Sequence, residues 1–410
     1  MSASTLAAPA PPRRPAGINT PVALGALAIL LAGMAAVGQL VSPRQAALYL
    51  LGGALGLVLY HAAFGFTSAW RVFIADRRGE GLRAQMVMLA IAVLLFFPVL
   101  SAGTLLGQPV QGLVSPVGVS VVVGALLFGM GMQLGGGCAS GTLYTAGGGS
   151  TRMVLTLAAF VAGSALGAAH LHWWAALPHL PPISLVQSWG MVPALAANLA
   201  VFALIAGVTV VLERRRHGRL VRAAAAPRAG LGRFLRGPWP ILAGAVALAV
   251  LNFATLTLAG RPWGITSAFA LWGSKAALAL GFDVNSWPYW SSPAQQAALH
   301  GSVLSDITSV MDVGIILGAM LAAALAGRFS PTLRIPLRSA VAAVVGGVML
   351  GYGARLAYGC NIGAYFSGIA SGSLHGWVWM VAAFLGNVLG TRLRPLFGLE
   401  VERLPRQTGC

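Results

Sequence analysis

Two cysteines carry the most specific chemistry in this chain. Each sits among glycines, in Gly135-Gly-Gly-Cys138-Ala-Ser-Gly141-Thr and in Tyr358-Gly-Cys360-Asn-Ile-Gly363. A thiol in apolar surroundings keeps its proton, and so offers an anion a compact, polarisable S–H group without charge repulsion. The glycines, Gly137 and Gly141 in one copy and Gly359 and Gly363 in the other, are poor helix formers, each costing about 1 kcal/mol against alanine. Broken backbone at membrane depth survives only where protein buries it or where it lines a wet cavity. A helix that starts after such a break aims free N–H groups at it, which favours an anion. A free cysteine more often simply fills space. Two at matching positions, beside a cluster as dense as Gly147-Gly-Gly149, argue for a site.

The matching extends well beyond the cysteines. Aligned on them, Gly124, Gly129, Gly131, Leu134 and Gly137 fall opposite Gly346, Gly351, Gly353, Leu356 and Gly359. Ala158-Ala-Phe160 answers Ala382-Ala-Phe384 after a two-residue shift. Earlier in each half, Phe64-Gly-Phe-Thr-Ser-Ala-Trp70 answers Trp263-Gly-Ile-Thr-Ser-Ala-Phe269, which pairs Gly65, Thr67 and Ser68 with Gly264, Thr266 and Ser267. Two motifs in the same order in both halves indicate an internal duplication.

The elements that must hold these motifs are apolar. Of the 410 residues 57% are hydrophobic and 8% charged, against about 25% charged in a soluble domain, so the chain is an integral membrane protein. Runs of about 20 apolar residues span a bilayer. Ten are found, near 20–41, 46–62, 84–105, 117–134, 152–174, 191–212, 239–258, 303–327, 339–358 and 375–394. The net charge of +18 is spread between these spans rather than gathered on one soluble face, which excludes a nucleic-acid surface and reports bilayer orientation instead. Three cysteines make neither a disulfide scaffold nor a zinc cluster, and Cys410 in a polar tail is incidental. A phosphate-binding Gly-x-x-x-x-Gly-Lys loop is missing, and no cofactor or enzymatic activity is expected.

If the N-terminus is cytoplasmic and the four motif segments turn back on the side they enter, 21 of the 26 basic residues collect inside, against Arg44, Arg261 and Lys275 outside. The two halves then run antiparallel, the arrangement that places a substrate path at the midplane between inverted repeats. The expected fold is an all-α integral membrane protein of about ten transmembrane helices in two inverted repeats with re-entrant Gly/Cys segments. Its expected parts are a disordered arm (1–19), an extra N-terminal transmembrane helix (20–45), a first repeat (46–174) and a connecting transmembrane helix (175–212). A basic cytoplasmic linker (213–237), a second repeat (238–394) and a C-terminal tail (395–410) follow.

The two cysteine motifs together with Trp263-Gly-Ile-Thr-Ser-Ala268 resemble the YeeE/YedE sulfur-transport family, over about residues 46–394. The resemblance implies a permease of the bacterial inner membrane that imports thiosulfate, and the distribution of basic residues puts both termini in the cytoplasm. Cysteines along a pore at the repeat interface would hand the anion inward through S–H to sulfur hydrogen bonds, Cys360 on the outer side and Cys138 on the inner. A TusA-like sulfur-carrier protein often accompanies such permeases. Many members also carry a cysteine in the early motif, as Phe-Cys-x-x-Gly-Ala, where this chain has Gly65. That leaves two thiols, with Thr67 or Ser68, for the path.

Arg355, inside the ninth span, and Lys275, after the second Thr-Ser-Ala motif, are candidates to draw an anion to the outer mouth. Asp306 and Asp312 in span eight would repel it, so pairing with Lys275 or Arg355 is expected for them, with proton coupling through Asp312 as the other reading. His170 and His172 do not share a helix face, and with Trp173 and Trp174 they read as an interfacial belt. Asn252, Asn361 and Asn387 are interhelical glue or pore groups. Other function classes are a selenium-compound transporter, a membrane sulfurtransferase that takes sulfur covalently on Cys138 or Cys360, and a glycine-rich assembly subunit.

Overall fold

The computed structural model describes residues 17–221 and 230–404. Most of the N-terminal arm, the middle of the basic linker and Cys410 lie outside the described residues.

The described residues are mostly helical. The first half comprises α1 (Thr20–Leu40), α2 (Pro43–His61), α3 (Phe66–Asp76), α4 (Glu80–Ala102), α5 (Val119–Gly135), α6 (Ala139–Gly147) and α7 (Thr151–Ala175). A short α8 (Leu185–Trp189), the long α9 (Met191–His217) and α10 (Gly230–Arg236) connect it to the second. There follow α11 (Ile241–Ala259), α12 (Thr266–Ala279), α13 (Pro293–His300), α14 (Ile307–Ala326), α15 (Leu337–Leu356), a π-helical turn (Asn361–Ser367), α16 (Gly368–Ala370) and α17 (Leu374–Leu393). Two-residue ladders pair Thr104–Leu105 with Gln108–Pro109, and Val117–Gly118 with His179–Leu180. Among the described residues ten helical stretches are long and apolar enough to cross a membrane, and they coincide with the ten runs read from the sequence. Two are interrupted by the motifs: Gly65 breaks the stretch Pro43–Asp76, and Cys138 breaks Val119–Gly147.

Helix starts and stops follow local chemistry. Ser42 caps α2, accepting the Gln45 amide at 3.1 Å, with Pro43 at the first helical position. α5 stops because Gly136 takes φ +93°, a left-handed conformation that glycine adopts without a steric penalty.

Burial separates centre from rim. The apolar windows of α1 and α9 are 22% and 17% buried, against 67% for α14, so α1 and α9 flank the bundle and α14 runs through it. Lipid tails are as apolar as leucine, so helices associate here through close backbone approach at small residues. Gly52 and Gly56 of α2 lie against the carbonyls of Met311 and Ile315 of α14. Between α5 and α15 the contact is reciprocal. A Cβ at Gly124 would meet the Gly353 carbonyl at 2.8 Å, and a Cβ at Gly131 would meet the Gly346 carbonyl at 2.8 Å, where 124 and 346, like 131 and 353, are the aligned positions. Aromatic pairs repeat the pattern: Phe160 stands 4.8 Å from Phe269, and Phe384 stands 5.7 Å from Trp70.

Candidate functional site

Cys138 and Cys360 occupy matching cap positions, Cys138 before the α-helix α6 and Cys360 before the π-helical turn. Each is the residue immediately before a helix, with its sulfur accepting a backbone N–H at 3.4 Å, from Gly141 and from Ile362 respectively. This is the capping role a short acceptor plays at an N-terminus, filled by sulfur instead of oxygen. Ser140 Oγ lies 3.3 Å from Cys138 Sγ, and the Thr142 hydroxyl donates to the Cys138 carbonyl at 2.8 Å. Both thiols are closed off from solvent within the main core.

The helices that lead into these turns end inside protein, so their last carbonyls need donors. At α5 two arginines supply them. Arg152 donates to Gly135 and Leu134 (2.6 and 2.7 Å), and Arg394 donates to Gln133 (2.6 Å). At α15 the donors are Ser120, to Leu356 (2.6 Å), and His375, to Ala357 (2.7 Å).

Above the Cys360 turn opens a cavity of about 500 Å³. Its wall and floor come from Gly264, Thr266, Ser267, Arg355, Gly359 and Gly363, six of the residues singled out by the sequence, joined by Arg261 and Tyr289. A Cβ at Gly264 or Gly363 would meet nothing within 4 Å, so backbone faces the cavity at both. Gly359, at φ +154°, makes the turn that sets Cys360 just behind the floor. Arg355 is 8% exposed. Its Nη1 donates to Tyr289 Oη at 2.7 Å and its Nη2 to Thr266 Oγ1 at 3.0 Å, with the guanidinium 5.7 Å from the Tyr289 ring centre. Its buried Nε has no protein partner. Arg261 donates to Thr308 Oγ1 at 3.1 Å, and Ser267 Oγ lies 3.0 Å from the same oxygen. Among the described residues two arginines and no carboxylate line this cavity, so its field favours an anion.

A second cavity, about 210 Å³, holds Gly65 and Ser68 with Arg78 and Glu80. Arg44, at the start of α2, shares a cleft with Arg261, whereas Ala63 and Gly65, just past its end, line this second cavity. The cavities therefore lie at opposite ends of α2, a helix of 19 residues or about 28 Å. Thr67 is buried and its carbonyl accepts Gln133 Nε2 at 3.2 Å. A Cβ at Gly65 would fall 2.5 Å from Ser68 Oγ, so a side chain there must displace that hydroxyl.

Several expectations find other placements. Lys275 is not at the cavity: its ammonium donates to the Leu299 and Gly301 carbonyls, both at 2.7 Å, and so caps the end of α13. Asp306 and Asp312 pair with neither Lys275 nor Arg355. Asp306 accepts the Ser309 amide and hydroxyl (2.7 and 2.6 Å), and Asp312 is buried with no hydrogen-bond partner among the described residues. Asn252 and Asn387 act as glue, Asn252 to Ser367 and the Trp263 amide, Asn387 to Gln133. Asn361, beside Cys360, is buried with neither amide atom paired. Sequence reasoning did not single out Arg261, Tyr289 or Gln133. The signal for Gln133 was present, since it stands five residues before Cys138 as Arg355 does before Cys360, and each contacts the threonine of its own half's Thr-Ser-Ala segment.

At the α3 end Glu402 closes on Arg71 with two contacts, 2.7 and 2.6 Å. The hydrogen bond from Arg71 pulls the Glu402 carboxyl down to about 2.

The profile of the sulphur transport family matches residues 61–389. The probable transporter YedE of Escherichia coli is 33% identical over 169 residues, 40% of each chain, so that match spans less than half of the relative's length. The thiosulfate transporter TsuA of Spirochaeta thermophila is 29% identical over 349 residues, 82% of this chain and 95% of its own. The TsuA of Escherichia coli is 25% identical over 355 residues, 82% and 90% respectively. The matched stretch takes in both cysteine turns, both Thr-Ser-Ala segments and Arg355, and this chain belongs to the sulphur transport family.

Proposed function

We propose that this protein is an inner-membrane permease that imports a small sulfur-containing anion, thiosulfate in the first place. The observation that carries the reading is the cavity in which buried Arg355, with Arg261, Thr266 and open glycine backbone, stands directly over the Cys360 turn. Cargo enters there at the outer face, is desolvated against Arg355 and the Thr266 hydroxyl, and passes the Cys360 and Cys138 thiols. Each thiol donates its S–H toward the anion while its sulfur is held by a backbone amide. The anion leaves past Thr67, Ser68 and Gly65 into the second cavity. Lipid surrounds the bundle, and a TusA-like carrier on the cytosolic side fits the sulfur cargo.

The reciprocal contacts of Gly124 with Gly353 and Gly131 with Gly346 support two inverted repeats related by a two-fold axis between α5 and α15. With the basic ends of α9 and α17 in the cytoplasm, so are both termini. The parts follow as an extra helix (20–45), a first repeat (46–174), a connecting helix (175–212) and a second repeat (238–394).

The test is uptake of labelled thiosulfate by cells without other sulfur importers, comparing wild type, Cys138→Ala and Cys360→Ala at equal membrane abundance. Loss of uptake in either variant is expected. Wild-type cells that take up none overturn the cargo, and two fully active variants overturn the thiol path.

A further inference from the structure

Asp312 is a buried ionisable group that the vestibule and the cysteine turns leave unused. It lies in the second turn of α14, fully buried, and neither carboxyl oxygen has a hydrogen-bond partner among the described residues. Residues four apart share a helix face, which places Thr308, Asp312 and Ile316 on one stripe of α14. At one end of that stripe Thr308 accepts Arg261 and meets Ser267 in the vestibule wall. At the other, the Ile316 carbonyl abuts Gly147, the last residue of the helix that Cys138 caps. Asp312 thus stands between the vestibule and the end of α6.

The titratable and charged groups on the elements around it are Arg44, Tyr49, Tyr60 and His61 on α2, Cys138 and Tyr144 at α6, Lys275 on α12 and Arg233 and Arg236 on α10. Arg261 stands before α12, Cys360 at the π-helical turn, and Asp306 at the start of α14 itself. None of these bonds the Asp312 carboxyl.

We propose that Asp312 carries a proton inward with each anion, so that the protein is a proton–anion symporter; this rests on the sulfur-anion reading above. A carboxylate without a partner in this interior is costly, and the neutral acid is the form that fits. The neutral acid lets an anion pass beside it, while the carboxylate repels the anion. Proton occupancy and anion occupancy are therefore linked with the same sign. The step is one of proton transfer alone: the carboxyl takes H⁺ from outer water, holds it while the anion passes, and releases it to inner water when the opposite end opens. Inward movement of a dianion against an inside-negative potential is uphill, and each accompanying proton offsets one charge.

Purified full-length protein in liposomes, with the membrane potential clamped, tests this. Thiosulfate counterflow is measured beside a pH dye trapped in the lumen. With one coupled proton, each unit of inside-alkaline gradient raises thiosulfate accumulation about tenfold, and adding thiosulfate outside acidifies the lumen. Asp312→Asn is expected to keep counterflow and lose both effects, while Asp312→Glu keeps both. Counterflow in wild type with no gradient dependence and no lumen acidification overturns the coupling alone, as does an Asn variant that still moves protons. Wild type without counterflow overturns the transport reading and the coupling with it. The wild-type proton measurement decides even where the Asn variant does not fold.

Discussion

Replacing Arg355 with alanine removes a deeply buried cation of the vestibule. Its guanidinium holds Tyr289 at 2.7 Å and Thr266 at 3.0 Å and keeps its Nε free of protein partners, so the charge is aimed and not swinging. Truncating one member of a buried, hydrogen-bonded charge pair costs about 2–5 kcal/mol. The cavity is open to water on one side, so the lower end applies. A loss of about 2 kcal/mol corresponds to roughly 30-fold in the apparent KM for thiosulfate. Arg355→Lys keeps the charge but not the planar fork, and gives up one of the two bonds; about 1 kcal/mol, or roughly fivefold, is expected. Arg261, less buried and bonded only to Thr308, is worth about 1 kcal/mol at most when replaced by alanine. The assay is concentration-dependent uptake of labelled thiosulfate at matched abundance, repeated at two ionic strengths, with the melting temperature of each purified variant as the control for folding. The reasoning is refuted if Arg355→Ala leaves KM unchanged, or if Arg261→Ala, at the rim, costs more than Arg355→Ala at equal melting temperature.

Two further outcomes follow from packing and from charge. Gly353→Val drives a side chain into the Gly124 carbonyl, 2.5 Å from the position of a Cβ, whereas Gly207→Ala meets nothing within 4 Å. The first is expected to lose about 3 kcal/mol or more and elute as aggregate in size-exclusion chromatography, and the second to match wild type within about 0.5 kcal/mol. The Glu402 carboxyl is held at about 2, below its ordinary value near 4.5, so its contribution to docking the C-terminal segment is fully present above pH 4.5 and fades as pH falls through 2. The side chain is 46% exposed, which limits that contribution to about 1 kcal/mol. Amide exchange over residues 399–404 is expected to speed up about fivefold in Glu402→Gln at pH 7, and unchanged exchange would show that the ion pair does not hold the segment.

The bilayer explains how much of this protein was legible before folding. Ten spans could be read because hydrocarbon thickness fixes the length of an apolar run, a property of contiguous sequence. The breaks at Cys138 and Cys360 were legible for a similar reason, since glycine clusters disfavour helix whatever surrounds them. So was the recurrence of a Thr-Ser-Ala segment and a cysteine turn in the same order in both halves. Membership in the sulfur-transport family rested on those same residues.

Partner choice between polar side chains was decided only in three dimensions. Arg355 meets Tyr289 across 66 residues and Thr266 across 89, and no local pattern encodes which of the available hydroxyls it takes. From the sequence, Lys275 and Arg355 were both candidates to draw an anion to an outer mouth. Packing of the loop after α12 gave Lys275 two carbonyls at the end of α13, while Arg355, in the last turn of α15, was turned into the vestibule. Asp312 looked as if it needed a counter-charge, and the fold supplied none. A membrane interior makes each unmet polar group expensive, so where a polar side chain finds its partner depends on which backbones can approach. Here that approach was set by glycine contacts between helices more than 200 residues apart, such as Gly124 with Gly353.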